Sequence, residues 1–343
     1  MSSFDLVIDN ATYIVTSDSE DRVLQDCAIG ILDNKIVAIA RAGTLKGAKT
    51  YDATGKLIAP GLINTHTHLA MSLLRGWAEG VNLQGFLERV WASTYTVSPD
   101  HLVEIGKLAK QMGASISIHI SENLGENEDI ARRFGKTPTA MLDESGILES
   151  HTLLGHGVHL SDKDIDVLVE AGAAVAHCPG SNLKLGSGIA DIKKYQSRNL
   201  SVALGTDGCS SSNDLDMWAV MRAAANLYAQ SNGPENLRAS TIFRMATIEA
   251  AKALGLESSI GSIEIGKSAD LISIDLNKAH LIPLHDIYAQ LVFAAGRGDV
   301  NDVWVDGKQV VADGKSTLVD FSQLSKEVDV VVQILRKEFN ESR

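Results

Sequence analysis

Four short stretches of this chain carry side chains suited to metal chemistry. The first is His66-Thr67-His68, at the end of the apolar run Leu57-Ile58-Ala59-Pro60-Gly61-Leu62-Ile63-Asn64. Residues i and i+2 of a strand point to the same face, so the two imidazoles can grip one ion. The second, Ile116-Ser117-Ile118-His119-Ile120-Ser121-Glu122, ends a β-rich run in His-x-x-Glu. The third, Leu153-Leu154-Gly155-His156, ends in a histidine, and the fourth, Val202-Ala203-Leu204-Gly205-Thr206-Asp207-Gly208, in an aspartate. Taken singly, each has an ordinary reading: strand-end histidines are commonly structural, and Asp-Gly after a strand is commonly a turn. Taken together, one shared metal site explains His66, His68, His119, His156 and Asp207 better than five separate structural roles.

The chemistry is coherent. Two or three neutral imidazoles with one carboxylate suit one divalent ion, zinc in the first place and iron in the second, and leave a position for water. Such an ion brings the pKa of that water to about 7, so hydroxide is available at neutral pH. Glu122, three residues beyond His119, is placed to pass protons to a bound substrate. His177, in His177-Cys178-Pro179-Gly180-Ser181-Asn182, ends a further strand on the same rim, and it reads equally as a pocket-shaping or a packing residue. The remaining histidines read as structural: His101 on a solvated helix, His151, His280 and His285 in connecting or peripheral sequence, and His159 as a core or rim residue. Cys178 and Cys209 can ligate a soft metal, but nothing pairs with Cys209.

The elements that must position these groups alternate. Strands are expected at Ala114 to Ile120, His151 to His159, Ala173 to Cys178 and Ser201 to Gly205, with a first one ending at His68. Helices are expected at about Gln84–Trp91, Ser98–Met112, Asn127–Glu144, Ile189–Gln196, Leu215–Gln230 and Ala239–Leu254, with another opening at Ser161, where Asp164 nearly completes a capping box. Repeated βα units imply parallel strands with right-handed crossovers, and chemistry at their C-terminal ends is the pattern of a (β/α)8 barrel. Both chain ends read differently. Leu6–Ile8, Tyr13–Val15, Cys27–Ile31 and Lys35–Ile39 are short β-rich runs, and the texture returns in Asp270–Asp275 and Asp302–Val311. The expectation is a composite β-sandwich from residues 1–57 and 262–320, a barrel over 58–261, and a C-terminal amphipathic helix within 321–343.

Composition narrows the function classes. The 343 residues are 45% hydrophobic and 22% charged, as in ordinary globular proteins. A net charge of −12 argues against a nucleic-acid partner. Three unpaired cysteines fit a reducing compartment. The N-terminus lacks the features of a signal peptide, and no apolar run reaches the roughly 18 residues of a membrane span. A cytoplasmic protein without a membrane partner is expected.

At this point the chain resembles the amidohydrolase superfamily, in the branch of methylthioadenosine/S-adenosylhomocysteine deaminases and s-triazine chlorohydrolases. The resemblance is carried by Pro60 to His68, Leu73-Leu74-Arg75-Gly76, His119-Ile120-Ser121-Glu122, His177 to Leu185, Gly205 to Gly208, Asn213 to Met217 and Gly261 to Leu271, which together cover nearly the whole chain. It implies a (β/α)8 barrel with a composite β-sandwich. His66, His68, His119 and Asp207 would hold one metal. His156 would orient or deprotonate the water, Glu122 would protonate a ring nitrogen of the substrate, and Asp207 would relay a proton to the leaving amine. Glu122, His177 and Asp207 would face the substrate, a small heterocycle.

One departure stands out. Between His68 and Ala114 the sequence offers helices and no second barrel strand, so five barrel strands are expected, those ending at His68, His119, His156, His177 and Asp207. By comparison with the family, about 90 residues are missing near 91–95, some three βα units at about 30 residues each. The family's ribose-binding glutamate has no counterpart. A shortened barrel would leave two open edges and an uncovered apolar face, to be closed by rearrangement or by a second copy. The implied function is hydrolytic deamination of an adenosine-type or related amino-heterocycle, with metal affinity kept and nucleoside turnover weak or absent. The alternatives are a chlorohydrolase, a cyclic amidohydrolase, or a non-catalytic metal-binding remnant.

Overall fold

The computed structural model describes residues 4–90 and 99–341; the expected junction at 91–95 lies outside them. Both chain ends meet in one nine-stranded sheet. Its strands are β1 (Phe4–Val15), β2 (Val23–Leu32), β3 (Lys35–Arg41), β4 (Gly47–Asp52) and β5 (Lys56–Pro60), joined late in the chain by β10 (Leu271–Asp275), β11 (Val300–Val305), β12 (Lys308–Ala312) and β13 (Lys315–Ser316). The order is β13-β12-β11-β10-β5-β1-β2-β3, with β4 beside β1. Strand β3 returns to the stretch before β10, where Ile36 N–H donates to the Lys267 carbonyl and Ala269 N–H to that of Asn34.

Two-residue alternation explains how this sheet buries both faces. Ile14, Ile58 and Leu271 point into a core with Ile8, Ile29, Ile36 and Trp304. Leu57, Ala59, Ile272 and Ile274 point the other way, into a larger core shared with the central strands and helices. The Trp304 ring is 1% exposed and packs edge-on against Tyr51 at 4.9 Å.

The central sheet is parallel, in the order β6 (Ile116–Ile120), β7 (Thr152–His156), β8 (Ala174–His177) and β9 (Ser201–Leu204). Around it lie α1 (Leu83–Val90), α2 (Pro99–Met112), α3 (Leu124–Phe134), α4 (Pro138–Glu144), α5 (Asp162–Glu170), α6 (Pro179–Leu185), α7 (Ile192–Ser197), α8 (Met217–Asn232), α9 (Ala239–Met245) and α10 (Ile248–Ala253); a single turn α11 (Ile287–Ala289) and the C-terminal α12 (Phe321–Glu341) follow.

Local sequence accounts for most boundaries. Ser161 and Asp164 complete a reciprocal capping box at the start of α5. The helical segments expected over Asn127–Glu144 are two helices, because Gly135 terminates α3 at φ +68° and Pro138 opens α4. The helix expected over Ala239–Leu254 breaks in the same manner at Thr247, which leaves the helical region at φ −132°, ψ −101°.

One expectation is corrected. The strand foreseen up to His68 stops at Pro60 and belongs to the large sheet, antiparallel to β10. Residues 61–68 run on as extended chain outside any strand. They are fastened along β9, where Thr65 N–H donates to the Leu204 carbonyl and Asp207 N–H to that of His66. The central sheet therefore has four strands among the described residues, with this segment flanking β9. At the opposite end β6 is the outer strand among the described residues, with Ser117 and His119 exposed. A cleft of about 290 Å³ separates residues 64–68 from residues 117–119 of β6. Helix α2 exposes Ile105, Leu108 and Met112.

Trp304→Ala tests the dependence on the composite sheet. Removing a fully buried indole costs about 3–5 kcal/mol. Urea unfolding should show a loss in that range, and a loss below about 1 kcal/mol would show that this core contributes little.

Candidate metal centre and its acid–base groups

The C-terminal ends of β6, β7 and β9 and the segment beside β9 converge on one rim. Three residues there hold left-handed backbone although none is glycine: Ser121 at φ +46°, His156 at +70° and Asp207 at +59°. This conformation is sparsely populated for side-chain-bearing residues, and its clustering at strand ends marks a functional site. Two of these residues, His156 and Asp207, line the cavity there.

The structure brings His66, His68, His119 and Asp207 together, with one ligand atom from each within 4.8 Å of all the others. Nε2 of His119 lies 3.2 Å from Nε2 of His66 and 3.2 Å from Nε2 of His68. Asp207 Oδ1 lies 3.5 Å from His66 Nε2 and 3.2 Å from His68 Nε2. Donors about 2.0–2.1 Å from a shared tetrahedral centre stand roughly 3.3 Å apart, so the quartet fits a divalent metal. The space is kept by two glycines. A Cβ on Gly155 of β7 would sit 3.1 Å from both the His119 and the His66 rings, and one on Gly205 would sit 2.8 Å from His66 Cβ.

Protonation agrees with metal binding. Lost hydration, then the neighbouring His156, His66 and His68, hold the His119 imidazole down to about 3, so it is neutral. Burial alone would raise the Asp207 carboxyl, but hydrogen bonds with His66 and His68, the nearby His156 and the Ser181 hydroxyl keep it far below the usual carboxylate range. Its second oxygen accepts from Ser181 Oγ and Ser211 Oγ, each at 2.6 Å.

His156 and Glu122 stand beside the quartet. Nδ1 of His156 lies 2.8 Å from the Asn182 side-chain oxygen; an amide oxygen only accepts, so Nδ1 carries the proton and Nε2 is bare. That Nε2 faces Glu122 Oε2 at 3.8 Å. Burial, then the negative charge of Asp207, pushes the Glu122 carboxyl up to about 7, against the opposing hydrogen bond from Ser187. Both backbone N–H groups of the turn, Ser121 and Glu122, donate to the Glu126 carboxylate at 2.9 Å.

His177 is fully enclosed, with neither ring nitrogen hydrogen-bonded, and burial followed by the charge of His156 holds it down to about 3. It therefore stays neutral behind the site and does not line the cavity. The cavity at the quartet, about 740 Å³, is lined by His68, His119, Glu122, His156 and Asp207 with apolar cover from Phe86, Leu87 and Leu185. A second cavity of about 650 Å³ lies between the large sheet and α8 and contains none of these groups. Among the other histidines, His151 donates to the Ala253 carbonyl, His280 pairs with Asp299, and His159 donates to the Ser187 carbonyl. Sequence reasoning assigned no role to Ser181, Asn182, Ser187 or Ser211. For Ser181 and Asn182 the signal was the motif His177 to Leu185, most of which folds as α6.

Single replacements of His66, His119 or Asp207 by alanine should abolish tight zinc uptake in equilibrium dialysis, whereas His177→Ala should retain it. Gly205→Ala should weaken uptake and destabilise the fold by about 1–3 kcal/mol through overpacking. Full zinc retention in His119→Ala would remove that residue from the quartet.

The amidohydrolase family model matches residues 91–310. A 5-methylthioadenosine/S-adenosylhomocysteine deaminase of Moorella thermoacetica is 32% identical over 88% of this chain and 93% of its own length. A 5'-deoxyadenosine deaminase of Methanosarcina mazei is 30% identical over 96% of this chain and 98% of its own length. That alignment runs to 427 positions, more than the 343 residues present, so parts of the relative stand opposite nothing here. Among solved structures, a zinc-bound adenosine deaminase of Xanthomonas campestris superposes with TM-score 0.93 at 28% identity, over 98% of this chain and 99% of that one. An atrazine chlorohydrolase of Arthrobacter aurescens with zinc shares the fold, with TM-score 0.89 at 20% identity over 95% and 100%. With a metal-compatible quartet at the strand ends and a family match over most of its length, the chain belongs to the amidohydrolase family.

Proposed function

We propose that this chain is a hydrolytic deaminase of an adenosine-type or related amino-heterocycle, working on a barrel shortened to four strands and one flanking segment. The observation that carries the reading is a carboxyl poised near neutrality, Glu122, facing a bare His156 Nε2 in the same cavity as the quartet. The relatives named as adenosine-type deaminases support the substrate class. A composite β-sandwich from residues 1–57 and 262–320, a barrel over 58–261 and a separate C-terminal helix in 321–343 complete the domain reading.

In this reading His66, His68, His119 and Asp207 hold one divalent ion, zinc ahead of iron, since three imidazoles and a carboxylate within tetrahedral reach suit zinc. The ion, when bound, supplies Lewis-acid activation of water, lowering its pKa to about 7. His156 presents Nε2 to orient that water or take its proton, with Asn182 fixing the tautomer. Glu122 gives a proton to a ring nitrogen, which makes the adjacent carbon electrophilic. Asp207, held ionised, relays a proton to the leaving amine. His177 supports His156 from behind and is reassigned from substrate contact to packing.

Among the described residues no helix is long and apolar enough to cross a membrane. The free thiols of Cys27, Cys178 and Cys209 support a reducing, cytoplasmic setting. Nothing basic in the overall charge favours nucleic acid, and the exposed β6 edge supports pairing with a second copy.

Ammonia release from methylthioadenosine, adenosine, guanine and an aminotriazine by the zinc-loaded chain tests the proposal. Slow, zinc-dependent release from an adenosine-type substrate is expected, and Glu122→Gln should lower it by about 100-fold or more. Because Glu122 acts as an acid and is protonated below about 7, kcat/KM should fall on the alkaline side of that value. Chloride release from chlorotriazines without deamination would favour the chlorohydrolase alternative. Zinc binding with no turnover of any heterocycle would identify a non-catalytic remnant.

A further inference from the structure

One short stretch of chain touches three different groups of the site. Ser181 donates to Asp207, Asn182 accepts from His156, and just past the end of α6 the Ser187 hydroxyl donates to Glu122 Oε1 at 3.1 Å. Ser187 is 4% exposed and is fixed on every side. Its N–H donates to the Asn182 carbonyl at 2.9 Å, and its own carbonyl accepts from His159 Nε2 at 2.6 Å. The next residue, Gly188, sits at φ +118°, where a Cβ would stand 3.1 Å from Val158 and 3.2 Å from the His159 ring. A side chain there would be strained and crowded, so glycine at 188 lets the chain press Ser187 against Glu122.

We propose that Ser187, braced by His159 and Gly188, is a positioning residue for Glu122: its hydroxyl engages Oε1 and leaves Oε2, the oxygen facing His156, to carry the working proton. The statement about the working proton rests on the deaminase reading; the positioning does not. His159, which sequence reasoning left as a core or rim residue, acts here through the Ser187 backbone.

The groups facing Glu122 come from every neighbouring element. Asp207 from the end of β9 and Glu126 from α3 oppose its ionisation, whereas His66 beside β9 and the Ser187 hydroxyl favour it. His68, also from the segment beside β9, and His156 from the end of β7 face it as well. Ser187 is the neutral donor among them, so its removal should shift the carboxyl without altering the charges around it.

The test follows the carboxyl by carbon NMR in zinc-loaded protein labelled at the glutamate side-chain carboxyl, with Glu122 assigned by its disappearance in Glu122→Gln. Ser187→Ala should raise the Glu122 midpoint by about one unit, since a lost donor disfavours the charged form. Ser187→Thr should restore it. If the chain deaminates, Ser187→Ala should lower kcat by about tenfold with KM within about twofold, and should move the alkaline limb upward with the NMR midpoint. An unmoved midpoint in a Ser187→Ala protein that still binds one zinc would overturn the proposal. A moved midpoint in a chain that releases no ammonia would uphold the positioning and overturn the deaminase reading.

Discussion

The site depends on keeping one carboxylate ionised inside the protein. Asp207 has little contact with water, and an isolated buried carboxylate would take up a proton. Two imidazoles lie beside one oxygen, where a shared cation would offset its charge, and two serine hydroxyls donate to the other. These groups come from the segment ending at His68, from α6 and from the turn after β9, so meeting them fixes the relative positions of three chain regions. Asn64 strengthens the arrangement: its side-chain amide donates to Thr206 Oγ1 at 2.7 Å, and its oxygen accepts the Thr206 N–H at 3.0 Å. The extended chain beside β9 is thereby held in register by side-chain pairing as well as by two backbone hydrogen bonds.

The four candidate ligands are neighbours in space. Asp207 ends β9 and His119 ends β6, the two outer strands of the parallel sheet, and His66 and His68 lie on the segment flanking β9. The rim curls enough to bring His119 back to His66. Gly155 permits this, because β7 carries no side chain where the two rings pass over it. The large sheet contributes the other support. Strand β5 ends at Pro60 and leads directly into the ligand segment, so the packing of Leu57 and Ala59 in the shared core anchors His66 at a distance of a few residues.

The ligands were legible because their chemistry requires particular residue types and their spacing places them at strand ends. The left-handed turns that aim His156 and Asp207 were not, since a histidine or aspartate followed by glycine is equally compatible with an ordinary turn. The segment Gly61 to His68 was read as a strand because apolar residues run through it; Gly61 and the lack of ladder partners on one side leave it as extended chain. The division of the Asn127–Glu144 region into two helices follows from Gly135 and Pro138. Helix α6 was missed because Pro179-Gly180-Ser181-Asn182 is loop-like in composition, and proline is favoured at a helix start. With α6 unseen, the roles of Asn182 and Ser187 had no visible basis, since both depend on where that helix sets their side chains against the strand ends.

The position of β6 among the described residues bears on the electrostatics of the site. Among the described residues His119 stands on the outer strand of the parallel sheet beside a cleft, which opens the quartet to solvent from the flank as well as from the mouth. Water at the flank raises the local dielectric and weakens the fields that act on a reacting group. It also gives small chelators a lateral route to a bound ion. An ion held by these four ligands would be open to loss through that side, so sound equilibrium geometry and slow release are separate properties of such a container.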